Sequence, residues 1–186
     1  MNAALIRSNG VDTGEEDKAL ARVTVRYLRR RPTSRMAPFT FQWFYRLHGE
    51  IFGQVWRGGA GKRRTTEANI GARPSQIDRL VWGLALDAAC WQGDPVDDAA
   101  ELHRRAVQIH PFIDGNGRWA RLLASIWIRQ RTGQLLKWPL GLRHARSPLR
   151  DEYIDAIVRA VRGDTAALKA LHRRLVEPWP DARNPK

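Results

Sequence analysis

An all-α fold is what this chain of 186 residues predicts, and three observations carry the prediction. Apolar residues recur at three- and four-residue spacing through most of the chain, the period of a helix with one buried face. Proline and glycine interrupt that pattern at intervals that leave helices of ordinary length between them. One stretch, residues 62–77, is polar and lacks the period, so a short β-hairpin or irregular flap is expected there.

The first helix is expected over residues 13–30, with Leu20, Val23, Tyr27 and Leu28 near helical spacing. Thr13 suits its cap, and Glu15 and Glu16 suit its first turn, where carboxylates complement the helix dipole. The prolines of residues 31–38 end it. A core helix follows from Phe39 to Gln54, striped by Phe41, Phe44, Leu47 and Ile51, until Gly58, Gly59 and Gly61 break the pattern. Residues 75–91 resume it with Ile77, Leu80, Val81, Leu84 and Leu86. Gly93-Asp94-Pro95 makes a turn, and Asp97 or Asp98 caps a helix that carries Leu102, Ala106 and Ile109 inward and ends near His110. The next helix opens within residues 115–118 and runs to about Arg131. Its broad apolar face (Leu122, Leu123, Ile126, Trp127) suits the centre of the bundle, and Gly133 supplies its C-cap. Two helices close the chain, over 148–162 and 164–176. The organisation expected is a helix and linker over residues 1–38 as a candidate regulatory segment, one domain over 39–177, and a flexible tail over 178–186.

No apolar run approaches the roughly 18 residues that span a bilayer, and the first residues lack a signal-peptide core, so a cytoplasmic protein is expected. The single cysteine, Cys90, sits among Leu86, Ala88, Ala89 and Trp91 and reads as a buried structural thiol. A net charge of +13 favours acidic or phosphate-bearing partners. Its arginines are scattered, and no zinc spacing or helix-turn-helix accompanies them. Direct nucleic-acid binding is therefore the lesser reading of that charge, beside a basic soluble surface or a nucleotide.

The chemistry concentrates in His110-Pro111-Phe112-Ile113-Asp114-Gly115-Asn116-Gly117-Arg118-Trp119-Ala120-Arg121. Gly115, Asn116 and Gly117 open a helix, where free amides and the dipole favour a phosphate. Arg118 and Arg121 lie three apart on its first turns, so both can face one polyanion. Asp114, beside such phosphates, is tolerable if it shares a magnesium ion with them. His110 can take a proton from an incoming hydroxyl at neutral pH. Phe112 is suited to plug the loop into the core. His48, His103, His144 and His172 lack such company and read as structural or surface residues.

This run resembles the signature of the Fic family, His-Pro-Phe-x-Asp/Glu-Gly-Asn-Gly-Arg-x-x-Arg, at every defined position. Leu47 to Trp56 and Ala60-Gly61-Lys62 are similar to that family's approach to its flap, and Tyr153 to Leu168 to its C-terminal end. Asn69-Ile70-Gly71 is similar to a bacterial subgroup called mobile mystery protein B. The resemblance implies a Fic-type helical bundle with a β-hairpin flap and transfer of AMP from ATP to a Ser, Thr or Tyr hydroxyl of a target protein. It implies His110 as base, Asp114 as the Mg2+ ligand, and Gly115, Asn116, Gly117, Arg118 and Arg121 as the phosphate grip. Lys62, Arg63, Arg64, Thr65, Thr66, Asn69 and Ile70 would form the target-docking flap. Glycine at 117 sets the chain apart from a kinase-like branch that carries lysine there.

Two departures accompany the match. Trp56-Arg57-Gly58-Gly59-Ala60-Gly61 lacks the family's second tryptophan and is one residue longer. No clean copy of the inhibitory Ser/Thr-x-x-x-Glu-Gly/Asn helix is present, whose glutamate pairs with the second arginine of the signature. Glu15, Glu16 and Asp17 are the candidate inhibitory acids, and a separate antitoxin protein, making the chain the toxin of a pair, is the other source of inhibition. The competing readings are a nucleic-acid-associated or regulatory module with a lapsed site, and hydrolytic removal of AMP.

Overall fold

The structure, a computed structural model, describes residues 13–56, 58–139, 142 and 147–179. Among these residues seven α-helices are arranged as α1 (Thr13–Leu28), α2 (Phe41–Phe52), α3 (Ile77–Cys90), α4 (Pro95–Ile109), α5 (Asn116–Thr132), α6 (Pro148–Val161) and α7 (Ala166–Leu175). A short 3-10 turn, Pro74–Gln76, leads into α3. The strands described are β1 (Leu135–Leu136) and β2 (Val176–Glu177), paired antiparallel as Leu135 with Glu177 and Leu136 with Val176. The two-stranded sheet thus ties the segment after α5 to the end of α7. Residues 62–72 carry no described strand and take the irregular one of the two forms expected, with no hairpin.

Helix α5 is central because it is apolar nearly all round. Leu122 to Arg129 are all buried, and Trp119 packs edge-on to Phe44 and Phe112. Phe39, Trp43, Phe44 and Trp127 form an aromatic cluster that joins α2 to α5. Val23 and Tyr27 of α1 lie in this same core, so the N-terminal helix is part of the domain body rather than a detached segment. A second cluster, including Ala100, Tyr153, Ile157, Leu168 and Leu171, packs α6 and α7 onto α4.

Local chemistry explains the ends. Thr40 caps α2 by accepting from the Trp43 amide. The cap of α4 is Asp94, not Asp97 or Asp98. Its Oδ1 accepts from the amides of Val96 and Asp97, and Pro95 takes the first helical position, where its missing N–H costs nothing. Gly133 ends α5 at φ 76°, as expected of a left-handed C-cap. Cys90 is exposed, contrary to the sequence reading. Val81, Leu84, Ala85 and Ala88 take the buried stripe of α3, and residue 90 falls on the opposite face. Trp179, in the expected tail, lies under the Arg129 guanidinium at 3.7 Å.

Three histidines are buried polar joints of this fold. His103 hydrogen-bonds His172 at 3.0 Å and the Tyr153 hydroxyl at 3.0 Å, and burial pushes both rings far down, His172 to about 3. Burial likewise takes His48 to about 3. Such rings stay neutral when folded but protonate near pH 6.5 once unfolded. Stability is therefore complete above about pH 6.5 and falls as the pH drops below it, by up to about 1.4 kcal/mol per pH unit per ring. Thermal unfolding followed from pH 7.5 to about pH 5 should show a falling midpoint. A midpoint that holds constant would mean these rings protonate in place.

Candidate active site

The loop between α4 and α5 is shaped by one residue of unusual backbone. His110 ends α4 in the left-handed conformation (φ 52°, ψ 59°), its amide still donating to Ala106. That conformation costs a non-glycine residue on the order of 1–3 kcal/mol and persists where the surroundings enforce it. Phe112 anchors the next turn, stacked on His48 at 3.6 Å and edge-on to Trp119. The plug expected from the sequence is therefore present.

Asn116 closes the loop as a ring. Its Oδ1 accepts from the Phe112 amide at 3.0 Å and its Nδ2 donates to the Phe112 carbonyl at 2.8 Å. Both ends of this buried side chain are engaged, so it shapes the loop, and these two bonds leave the second N–H of Nδ2 unused. Gly115 precedes it at φ 76°, and a Cβ there would lie 2.5 Å from the Phe52 ring. Gly117 differs, because a Cβ there would meet nothing nearer than Arg121 at 3.5 Å. Packing within the protein does not demand that glycine, and close approach of a ligand would. The first-turn amides of α5 have no intrahelical acceptor by geometry, which leaves an anion cradle at the helix start.

His110 is 8% exposed, and its pKa is lowered to about 4, first by burial and then by the nearby Arg64 guanidinium. Nδ1 is buried without a hydrogen bond of normal geometry, although the Val107 carbonyl favours the protonated ring. The imidazole is thus neutral at pH 7, and Nε2 is the nitrogen left to meet a substrate.

Asp114 accepts from its neighbour Gly115 through Oδ1 and sits 3.8 Å from Arg118. Among the described residues no group of three His, Cys, Asp or Glu side chains could cage a metal. One carboxylate at an anion cradle suits a hard cation that keeps waters and takes its other ligands from phosphates, as magnesium does.

The two arginines do not share an anion here. Arg118 Nη1 donates to Glu16, and its guanidinium lies over Phe52 (4.7 Å) and Trp56 (5.4 Å). Arg121 lies over the Tyr153 ring at 5.4 Å. A cavity of about 360 Å³ opens beside both, lined also by Leu20, Thr24, Leu122 and Trp138. Of the three N-terminal acids, Glu15 is exposed and pairs with Lys18, and Asp17 is half-buried. Glu16, 3% exposed, is the one aimed at the site, with Trp56 Nε1 donating to its other oxygen at 2.7 Å. It meets the first arginine of the signature, whereas the resemblance implies the second.

The flap divides sharply. Lys62, Thr65, Thr66, Asn69 and Ile70 are exposed, and Arg63 bridges to Asp78 at 3.1 Å and to the Pro74 carbonyl. Arg64 is not a docking residue, being 1% exposed. It donates to the carbonyls of His110 (2.8 Å), Thr66 (2.8 Å) and Ala72, while its amide donates to Pro111. The Ala72 amide donates to Ile109, so both ends of the flap are tied to the end of α4 and the loop that follows it. Gly71 (φ 107°) is required at the crossing, because a Cβ there would lie 2.5 Å from the His110 Cβ. Sequence reasoning placed Arg64 in the docking flap, whereas it is buried beneath it, and missed Gly71 and His48 as site residues. An arginine in a basic run carries no signal of burial, and a lone glycine or histidine carries none of its neighbours.

Residues 38–128 match the model of the Fic/DOC family. The chain is similar to the protein adenylyltransferase fic-1 of Caenorhabditis briggsae, 35% identical over 94 residues, which covers 47% of this chain and 18% of that protein. Fic-1 of C. elegans (residues 134–508) superposes with a TM-score of 0.73 at 20% identity, over 92% of this chain and 51% of that one. BepC of Bartonella tribocorum, a translocated effector solved with bound AMPPNP, gives 0.69 at 16% identity, over 90% and 87%. Residues 38–128 are therefore similar to the Fic/DOC family, and the fold to that of the Fic structures. It spans less than a fifth of the nematode adenylyltransferase it matches.

Arg64→Met should leave three loop carbonyls without their donor and free His110 from its left-handed turn. A loss of roughly 1–3 kcal/mol for each buried carbonyl left unmet is expected, read from urea unfolding, with Arg64→Lys intermediate. Wild-type stability in Arg64→Met would show that the guanidinium bonds do not hold the loop.

Proposed function

We infer that the chain transfers AMP from ATP to a Ser, Thr or Tyr hydroxyl of a target protein and releases pyrophosphate. The observation that supports this best is a neutral, largely buried His110 in one loop with a glycine-lined helix start. The named adenylyltransferase relatives point the same way. The hydroxyl oxygen attacks the α-phosphorus, the bond to the β-phosphate breaks, and His110 Nε2 takes the hydroxyl proton. The amides of Asn116, Gly117 and Arg118 hold phosphate oxygens, and Arg121, with no carboxylate partner among the described residues, grips the outer phosphates. Asp114 would hold the magnesium ion, which neutralises phosphate charge when bound. Catalysis then rests on positioning and charge. The exposed edge of the flap, Thr65, Thr66, Asn69 and Ile70, holds the target segment by main-chain pairing, with Ile113 (75% exposed) as an apolar contact beside it.

Glu16 restrains this activity. While Arg118 pairs with it, that guanidinium is unavailable to the triphosphate. Inhibition is then internal, and a separate antitoxin is not required for it.

With α-labelled ATP, magnesium and lysate, Glu16→Ala should label protein about 5–150-fold faster than the wild type, the range of one coupling contact. His110→Ala in the Glu16→Ala background should lose about 10²–10⁴-fold. Undiminished labelling without the imidazole would refute the assignment. Because His110 titrates near 4, the rate should hold from about pH 8 to 6 and fall only as the pH approaches 4.

A further inference from the structure

Buried in α2, His48 touches no solvent and faces two different parts of the site. The Gly61 amide, at the base of the flap, donates to its Nδ1 at 2.9 Å. Nδ1 is therefore the bare nitrogen, Nε2 carries the proton, and Nε2 donates to the Asp114 carbonyl at 3.0 Å. The ring cannot slip between these partners, because it is stacked on Phe112 at 3.6 Å and packed on Phe52 at 4.7 Å. Gly61 cannot withdraw without breaking its seat on α2, where a Cβ would already lie 3.1 Å from the Tyr45 carbonyl and 3.2 Å from the Gly49 Cα.

We propose that His48 is a positioning residue that couples the flap base at Gly61 to the peptide of Asp114, so that occupancy of the phosphate site and ordering of the flap favour each other. The use of that coupling, admitting the target only when nucleotide is in place, rests on the AMP-transfer reading. The coupling itself rests on the two hydrogen bonds. By linkage it must run both ways: nucleotide steadies the flap, and a steadied flap tightens nucleotide.

The two bonds can be cut separately. Asparagine at 48 keeps an acceptor near the Nδ1 position for Gly61 and loses the donor to Asp114. Glutamine keeps a donor near the Nε2 position and loses the acceptor. Two readouts are needed in the full chain, neither requiring transfer activity: calorimetric affinity for magnesium with the non-hydrolysable analogue AMPPNP, and amide exchange of residues 58–63.

His48→Asn should weaken AMPPNP binding by at least about fivefold while leaving exchange of the unliganded flap base near wild type. His48→Gln should speed that exchange by a similar factor and weaken binding less. In the wild type, saturating magnesium–AMPPNP should slow exchange at the flap base, and in both variants that response should vanish. The proposal is overturned if both variants change both readouts alike, if neither changes either one, or if the ligand-induced slowing survives in both. Failure of the wild type to transfer AMP would strike the functional reading alone, since binding and exchange would still report the coupling.

Discussion

A single buried guanidinium underlies the geometry of the site. Arg64 is enclosed by the carbonyls of His110, Thr66 and Ala72, and its own amide reaches Pro111. An arginine head group taken from water is costly unless its donors are met, and here they are met by backbone oxygens that would otherwise need partners of their own. The consequence is mutual. The loop carrying His110 keeps its left-handed turn, the flap keeps its footing on that loop, and the positive charge nearby helps to keep the imidazole neutral.

Charge distribution divides the two arginines between tasks. Arg118 is held by Glu16 and by two aromatic faces, whereas Arg121 rests on Tyr153, which His103 fixes from below. Among the described residues, a polyanion therefore meets one arginine already paired with a carboxylate and one with none. That asymmetry links the N-terminal helix to the phosphate site through Trp56, whose indole both donates to Glu16 and stacks on Phe52 at 3.9 Å. Arg57, which follows it, lies outside the described residues.

Much of this was legible in the sequence, because helices write their period and caps into it. The seven helices, the central role of α5, the Phe112 plug and the glycine C-cap of α5 all follow from spacing and residue type. The signature loop was legible for a different reason, since several chemistries crowd into twelve residues. What stayed hidden depends on contacts between distant residues. Arg64 and exposed Lys62 read alike in a basic run, although one is buried and the other solvated. Asn116 reads as a ligand in a glycine loop, and its second part, closing that loop onto both backbone groups of Phe112, is not visible in the sequence. Cys90 reads as buried from its neighbours, because helix phase beyond the last core residue is set by packing. Glu16 could be separated from Glu15 and Asp17 only by the direction each takes from α1.

The central claim is that this helix start holds a nucleoside triphosphate so that His110 can open its α-phosphate to an alcohol. Intact-mass measurement of an acceptor protein, with pyrophosphate assayed in the same reaction, tests it most directly. One adenylate gained on a hydroxyl side chain, with one pyrophosphate released, is the expected result. A gain of phosphate alone, or turnover of ATP without any modified protein, would contradict it.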